Sequence, residues 1–392
     1  MPVPLSLYVH LPWCLKKCPY CDFNSHALRD PLPEAAYLAA LLADLEEELR
    51  RVPRRIVDSI FFGGGTPSLF DAASIARLIG AVRQSGRLAA DAEITLEANP
   101  GAVERGRFAE YADAGVNRIS LGVQSFDSGQ LRALGRIHSV RETEAALEEL
   151  RSAGLGNFNL DLMYGLPGQS VAAAVDDLEL AIRAQPAHIS HYQLTIEPNT
   201  LFHIRPPRLP DDDTIADAEI ACGERLTEAG FRRYEVSAYA RDDRVCRHNL
   251  NYWQFGDYIG VGAGAHGKLS RGQPLNVTRR WKLRHPGAYM TASAPGLEGE
   301  AMVDSGQLEF EFMLNALRLT GGFHERDFQM RTGILPARIR PRLAALEDEG
   351  LMAGDGKGRW RASGRGLRFL NELQQRFLPP RQADDPGGGI RG

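Results

Sequence analysis

Short apolar stretches rich in β-branched and aromatic residues alternate along this chain with longer segments whose leucines and alanines recur at helical spacing. The first kind covers 5–10, 57–62, 93–97, 118–124, 157–163 and 188–196, each the length of a strand. The second kind is clearest over 33–51, where Leu38, Leu41, Leu42, Leu45 and Leu49 share one face, and Glu46, Glu47 and Glu48 are expected to face water. Further helices are predicted over 72–84, 104–114, 141–153 and 171–184, with stops at Gly115, Gly154 and just before Pro186. Six strand–helix units in series imply an α/β fold with parallel strands and right-handed crossovers, its sheet either open or closed as a barrel.

In such folds the loops at the carboxyl ends of the strands build the site, and here those loops carry the unusual residues. After the first strand comes His10-Leu-Pro-Trp-Cys14-Leu-Lys-Lys-Cys18-Pro-Tyr-Cys21-Asp-Phe23. Three thiolates on one short loop can hold three irons of a four-iron cluster, and the missing fourth ligand leaves one iron open to a small molecule. A zinc site would need a further ligand, for which His10 and Asp22 are the candidates. Gly63-Gly-Gly-Thr-Pro67 follows the second strand, Glu97-Ala-Asn-Pro100 the third and Gln124-Ser-Phe126 the fourth. Asp161 with Tyr164-Gly-Leu-Pro167 ends the fifth, and Thr195-Ile-Glu-Pro198 the sixth. Taken singly, each could be a tight turn or an edge residue. Their coincidence at one rim argues for a ligand site, with glycine backbone approaching the ligand closely and Glu97 placed for ribose hydroxyls.

Composition excludes several classes. Five cysteines among 392 residues are few and odd in number, which argues against a disulfide framework; Cys222 sits on a helical pattern and reads as a small buried hydrophobe. There is no apolar run of spanning length, and Met-Pro-Val-Pro lacks the features of a signal peptide. A cytoplasmic protein is expected, with at most peripheral membrane association. A net charge of −4 argues against a general polyanion-binding surface, so nucleic acid is not an expected partner.

The cysteine loop, the glycine-rich second loop and the αβ repeat resemble the radical S-adenosylmethionine superfamily. The phrases Tyr8-Val-His-Leu-Pro-Trp-Cys14, Gly63-Gly-Gly-Thr-Pro-Ser68, Leu121-Gly-Val-Gln-Ser-Phe126 and Asp161-Leu-Met-Tyr-Gly-Leu-Pro167 are similar to its oxygen-independent coproporphyrinogen dehydrogenase branch, over roughly 4–378. The resemblance implies a partial (β/α)6 TIM-type barrel, a [4Fe-4S] cluster on Cys14, Cys18 and Cys21, and S-adenosylmethionine bound at the open iron, whose sulfonium the reduced cluster cleaves to a 5'-deoxyadenosyl radical. It further implies that Tyr8, Gly64, Glu97 and the 260–266 segment with His266 contact that cofactor. Gly65, Thr66, Gln124, Arg136, Asp161 and Thr195 match positions that hold a second S-adenosylmethionine.

Two departures point to the HemW-type branch, the heme chaperones. Phe23 stands where the dehydrogenase pattern has a further cysteine, and the cluster loop begins only 13 residues in. Cys246-Arg-His-Asn-Leu-Asn-Tyr-Trp253 adds a third feature, an H-N-x-x-Y-W motif. On its chemistry alone His248 is more often a hydrogen-bonded histidine packed against aromatics than a metal ligand. The branch makes it the expected heme-iron ligand, with Cys246 as an alternative and Tyr252 and Trp253 against the porphyrin. The implied function is a carrier that binds the cluster, S-adenosylmethionine and heme and delivers heme to acceptors such as respiratory enzymes. The alternatives are oxidative decarboxylation of coproporphyrinogen III and, less favoured, radical modification of RNA; whether the chain forms a homodimer is left open. The Gly260-Val-Gly-Ala-Gly-Ala-His-Gly267 run is not read as a dinucleotide fingerprint, because 268–274 looks turn-like and no amphipathic helix follows.

The expected domains are a barrel over 1–245, a connecting segment over 246–300 that carries both motifs, a mainly helical winged-helix-like domain over 301–378 and a disordered tail over 379–392. Helices are predicted over 309–319, 336–349 and 363–377 with a hairpin over 354–361. Arg331, Arg338, Arg340, Arg342, Arg359, Arg361 and Arg365 could in principle grip phosphates, but a structural cap is the favoured reading.

Overall fold

A computed structural model describes residues 3–101, 106–293 and 296–379. Six parallel strands lie side by side in chain order: β1 (Leu5–Leu11), β2 (Val57–Gly64), β3 (Leu88–Ala98), β4 (Arg118–Gln124), β5 (Phe158–Tyr164) and β6 (His188–Gln193). Asp257–Val261 pairs in parallel with the free side of β1, and Ala238–Ala240 pairs antiparallel with β6. These belong to a twelve-stranded sheet whose two end strands do not pair with each other, so the barrel is partial.

Registers show why these strands build a site. Ser6, Tyr8 and His10 on β1 stand beside Ser59, Phe61 and Gly63 on β2, and Glu93 and Thr95 on β3 continue the same rows. Between them Leu5, Leu7, Val9 and Leu11 alternate onto the other face and are buried in the main core with Ile60, Phe62, Ile94 and Leu96. A period of two therefore sends apolar residues outward against the helices and polar ones into the barrel. The helices begin where side chains can satisfy their first N–H groups. Ser139 and Glu142 form a reciprocal capping box, and the Ser170 hydroxyl accepts from the Ala173 N–H.

The structure departs from the sequence expectation in several places. Glu48 does not face water: it is 2% exposed, and its carboxylate takes hydrogen bonds from Lys282 Nζ (2.7 Å) and Arg280 Nε (3.1 Å). Asp44, one turn earlier, is also buried on Lys282, and a buried charge survives only in such company. The segment expected to be turn-like contains a strand, His266–Arg271. The helix expected over 336–349 is a short 3-10 turn, Pro336–Arg338, then Arg340–Asp348, because Pro341 lacks an N–H and suits a helix start. The last helix is likewise two pieces, Gly364–Arg368 and Leu370–Gln375, with Phe369 between them at φ −109° and ψ 39°.

The chain divides into two compact units, one of Met1–Asn251, Gly256–Leu269 and Arg279–Glu300, the other of Tyr252–Phe255, Ser270–Thr278 and Ala301–Gly392. The second unit contains a three-stranded sheet and the helices Ser305–Ala316 and Glu325–Thr332; the latter had no counterpart in the sequence pattern. Three of its arginines are engaged with carboxylates of the same unit. Arg338 and Arg342 both pair with Glu309, and Arg340 pairs with Glu325, so these three do not form an open phosphate grip. The tail expected over 379–392 lies, beyond Pro379, outside the described residues. Among the described residues no helix is long and apolar enough to cross a membrane.

Candidate functional site

A cavity of about 470 Å³ opens where the six strands end. Cys14, Cys18, Cys21, Gly64, Gly65, Thr66, Glu97, Gln124, Arg136, Asp161 and Thr195 all line it. Residues from six separate loops, spread over most of the barrel sequence, thus meet at one mouth.

The cysteine loop is held from below by its own strand. His10 Nε2 lies 2.9 Å from the Asn24 carbonyl oxygen, and its Nδ1 lies 2.9 Å from the Tyr8 hydroxyl. A carbonyl only accepts, so Nε2 carries the proton and the Tyr8 hydroxyl donates to Nδ1. Burial lowers the His10 pKa to about 4, which keeps this neutral arrangement in place. Asn24 in turn donates to the Ala263 and Arg284 carbonyls, at 2.9 Å each. Lys17 ties the loop to itself through the Phe23 and Ser25 carbonyls (2.9 and 3.2 Å).

Glycine is required where backbone must pass these groups. Gly64 has φ +118°, and a Cβ there would lie 2.6 Å from the His10 ring. At Gly65 a Cβ would meet the Trp13 carbonyl oxygen at 2.4 Å.

Above the loop, polar groups form two linked sets. Arg136 bonds the Asn99 side chain, the Gly122 carbonyl (2.7 Å) and Cys18 Sγ (3.6 Å), while Asn99 donates to Thr66 Oγ1 (3.0 Å). Opposite, Asp161 accepts from Ser120 Oγ (3.0 Å) and Asn159 Nδ2 (2.8 Å), and the Tyr192 hydroxyl donates to Gln124 Oε1 (2.6 Å). Glu97 accepts from the Gly64 N–H at 3.1 Å. Burial, helped by the Asp161 charge, pushes its pKa up to about 8. A cationic or hydroxyl-bearing ligand would relieve that desolvated carboxyl. Burial also raises the Cys14 and Cys21 thiols above their usual range, a cost that metal binding must overcome by removing the proton.

Two expected cofactor contacts stand elsewhere. Tyr8 and His266 do not line the cavity. Tyr8 spends its hydroxyl on His10 and lies under the cavity beside Phe61, ring centroids 6.3 Å apart; His266 opens a strand and is exposed. The glycine-rich segment braces the loop instead of walling the cavity. A Cβ at Gly262 would touch the His10 carbonyl oxygen at 2.4 Å, and the Ala263 carbonyl receives Asn24. Ser120 and Tyr192 are lining residues that the sequence reading did not single out, whereas Asn99 and Gly122 lie within the runs it quoted. The alternation Ser120, Gly122, Gln124 and Ser190, Tyr192 along β4 and β6 was the signal available.

The expected heme ligand is not at this mouth, nor at any opening. His248 is 1% exposed, its Nδ1 lies 3.1 Å from Ser59 Oγ, its backbone N–H donates to Glu93 (3.2 Å), and its ring packs 5.0 Å from Phe61 and 6.3 Å from Tyr8. The packed-histidine alternative describes this arrangement, and it leaves no room for a macrocycle. Cys246 fails for the same reason: it is 2% exposed, and burial pushes its thiol up to about 12. The Trp253 face lies under the Arg318 guanidinium, 4.3 Å from the ring centroid.

Comparison with known proteins places this geometry. Residues 8–181 match the radical SAM superfamily. The solved coproporphyrinogen III oxidase HemN of Escherichia coli, titled a radical SAM enzyme, shares the fold with a TM-score of 0.80 at 24% identity, over 96% of this chain and 90% of that one. A protein named heme chaperone HemW from Escherichia coli (strain K12) is 48% identical over 96% of this chain and 98% of its own length. Its namesake from Haemophilus influenzae is 46% identical with the same coverage. A mitochondrial radical S-adenosyl methionine domain-containing protein 1 from Bos taurus is 37% identical over 94% and 86%. The chain belongs to the HemW family of the radical SAM superfamily.

Membership implies a [4Fe-4S] cluster and S-adenosylmethionine, and the residues present fit both. Three thiols border one cavity beside a backbone that only glycine permits, and the Glu97 carboxyl and the Arg136 guanidinium line the same cavity. No three His, Cys, Asp or Glu side chains among the described residues close on a single ion; a four-iron cluster asks instead for thiols spread around a larger body.

Proposed function

We propose that this chain is a heme carrier that binds a [4Fe-4S] cluster through Cys14, Cys18 and Cys21, binds S-adenosylmethionine beside it, and passes heme to heme-requiring acceptor proteins. The observation that carries this reading is identity of 46–48% over nearly the whole chain with proteins named heme chaperone. The cluster supplies a one-electron donor and an open iron coordination site. Glu97 and Asp161 offer buried acceptors to an ammonium or hydroxyl group, and Arg136 holds Asn99, Gly122 and Cys18 in register around the cofactor.

Phe23 fits the same reading. It is 59% exposed where the dehydrogenase pattern places a cysteine, so the loop keeps its three thiols and presents an aromatic ring. Anaerobic reconstitution followed by parallel titration with heme and coproporphyrinogen III tests the proposal. A saturable Soret band without vinyl product is the expected result. Vinyl product in a reduced assay supplied with S-adenosylmethionine would overturn it in favour of oxidative decarboxylation.

A further inference from the structure

Of the three sulfurs expected to carry the cluster, Cys18 has a charged donor within hydrogen-bond reach. Arg136 Nη1 lies 3.6 Å from its Sγ, the geometry of an N–H···S bond. Cys21 Sγ instead lies 3.8 Å from the Ser25 hydroxyl, a neutral group.

Backbone packing brings the guanidinium to this sulfur. Arg136 follows Gly135, which has φ +68°, just past the helix Ser128–Ala133. A Cβ at Gly135 would lie 2.7 Å from Pro19 Cδ, so this turn is pressed against the cysteine loop one residue beyond Cys18. At its other nitrogen the guanidinium is anchored, because Nη2 donates to the Asn99 side-chain oxygen and to the Gly122 carbonyl (2.7 Å). Gly122 leaves the space for this: a Cβ there would stand 3.1 Å from Asn99 Oδ1 and 3.4 Å from Arg136 Nη2. Two anchors thus spend one nitrogen and hold the other toward Cys18.

The charge is also left without a countercharge. Both anchors are neutral oxygens, and among the described residues no carboxylate forms an ion pair with Arg136. Arginine does not lose its proton in proteins, and a charge withdrawn from water in neutral company is costly. A thiolate on the third side offsets that cost, and an electron added to a cluster on that thiolate offsets it further. Hydrogen bonds to the sulfurs and local charge are among the factors that set a cluster's reduction potential.

We propose that Arg136 is a positioning residue that raises the reduction potential of the cluster through Cys18. One electron arrives from an external reductant, no bond to the chain forms or breaks, and the guanidinium keeps its proton on both sides of the step. The inference rests on the placement of the cluster on Cys14, Cys18 and Cys21. It is separate from any contact between Arg136 and S-adenosylmethionine.

The test is a potentiometric titration of the full-length, cluster-reconstituted chain without S-adenosylmethionine, read by the electron paramagnetic resonance signal of the reduced cluster. Arg136→Gln should lower the midpoint, disfavouring reduction about tenfold, or about 59 mV for a one-electron step. Arg136→Lys keeps the charge and loses the planar fork, and should recover part of that shift. Should Arg136→Gln take up no cluster, Asn99→Ala releases one anchor and should disfavour reduction about two- to threefold. A midpoint unchanged or raised in Arg136→Gln, or in Asn99→Ala where the first takes up no cluster, would overturn the inference and leave the cluster placement standing. Absence of cluster absorbance in the unaltered chain would overturn the placement as well.

Discussion

The two ends of the barrel carry the two motifs that read as metal-binding, and they are built in opposite ways. At the mouth, glycines and short polar side chains keep a cavity open, and all three thiols of the cysteine loop border it. At the floor, Ser6, Ser59 and Glu93 meet His248, Asn251 and Cys246 in a closed, hydrogen-bonded layer. Residue type alone does not separate them, since histidine and cysteine are metal ligands in either place. Access does: a metal needs room beside its ligand, which the cavity gives the three thiols, whereas His248 and Cys246 are 1% and 2% exposed.

The sharpest way to break this comparison is to remove one cysteine from each end. Cys18→Ala should abolish the visible absorbance of the reconstituted cluster, while Cys246→Ala should leave it intact; equal loss in both would mean that the floor also holds metal. Next in size, His248→Ala should destabilise the chain by about 2–4 kcal/mol in denaturant titration, through the cavity it leaves and the polar groups it strands. The heme Soret band should stay where it was, and a shifted band would restore His248 as the ligand.

At the mouth, Gly65→Ala forces a Cβ to within 2.4 Å of the Trp13 carbonyl oxygen. A cost of about 1–3 kcal/mol is expected, together with weaker S-adenosylmethionine binding by calorimetry. Unchanged binding would show that the loop can move aside.

The smallest effect is in pH dependence, where the two ends run in opposite directions. Glu97 is raised from 4.5 to about 8 by burial and by Asp161, so its contribution is complete at low pH and is lost as pH rises through about 8. His248 is lowered from 6.5 to about 3 by burial, beside Tyr8 on β1 and Glu93 on β3; its contribution is complete above 6.5 and is lost as pH falls toward 3. Unfolding midpoints of the cofactor-free protein should therefore lose part of their alkaline slope in Glu97→Gln and part of their acid slope in His248→Asn. Slopes identical to those of the unaltered chain would remove these two groups from the titration.

The strands and most barrel helices were legible because each depends on neighbours close in sequence. The predicted 118–124 strand and 72–84 helix coincide with the observed ones, and the rim residues followed from strand ends alone. What was misread was decided by distant partners. Glu48 looked solvated because Lys282 and Arg280, more than 230 positions away, bring the charge that lets it be buried. His248 looked available because its bond to Ser59 spans 189 residues.

By itself, then, the sequence determined the α/β repeat, the three-thiol loop, the glycines that let backbone pass it, and the set of residues at the carboxyl ends of the strands. These rest on backbone geometry and on spacings within a few residues. Only the tertiary structure decided which end of the barrel each motif occupies and how deeply it is buried. That choice sends the H-N-x-x-Y-W histidine into the floor and leaves the three thiols of the cysteine loop on an open cavity. Burial and hydrogen-bond satisfaction are set by strands that meet only once the sheet has formed.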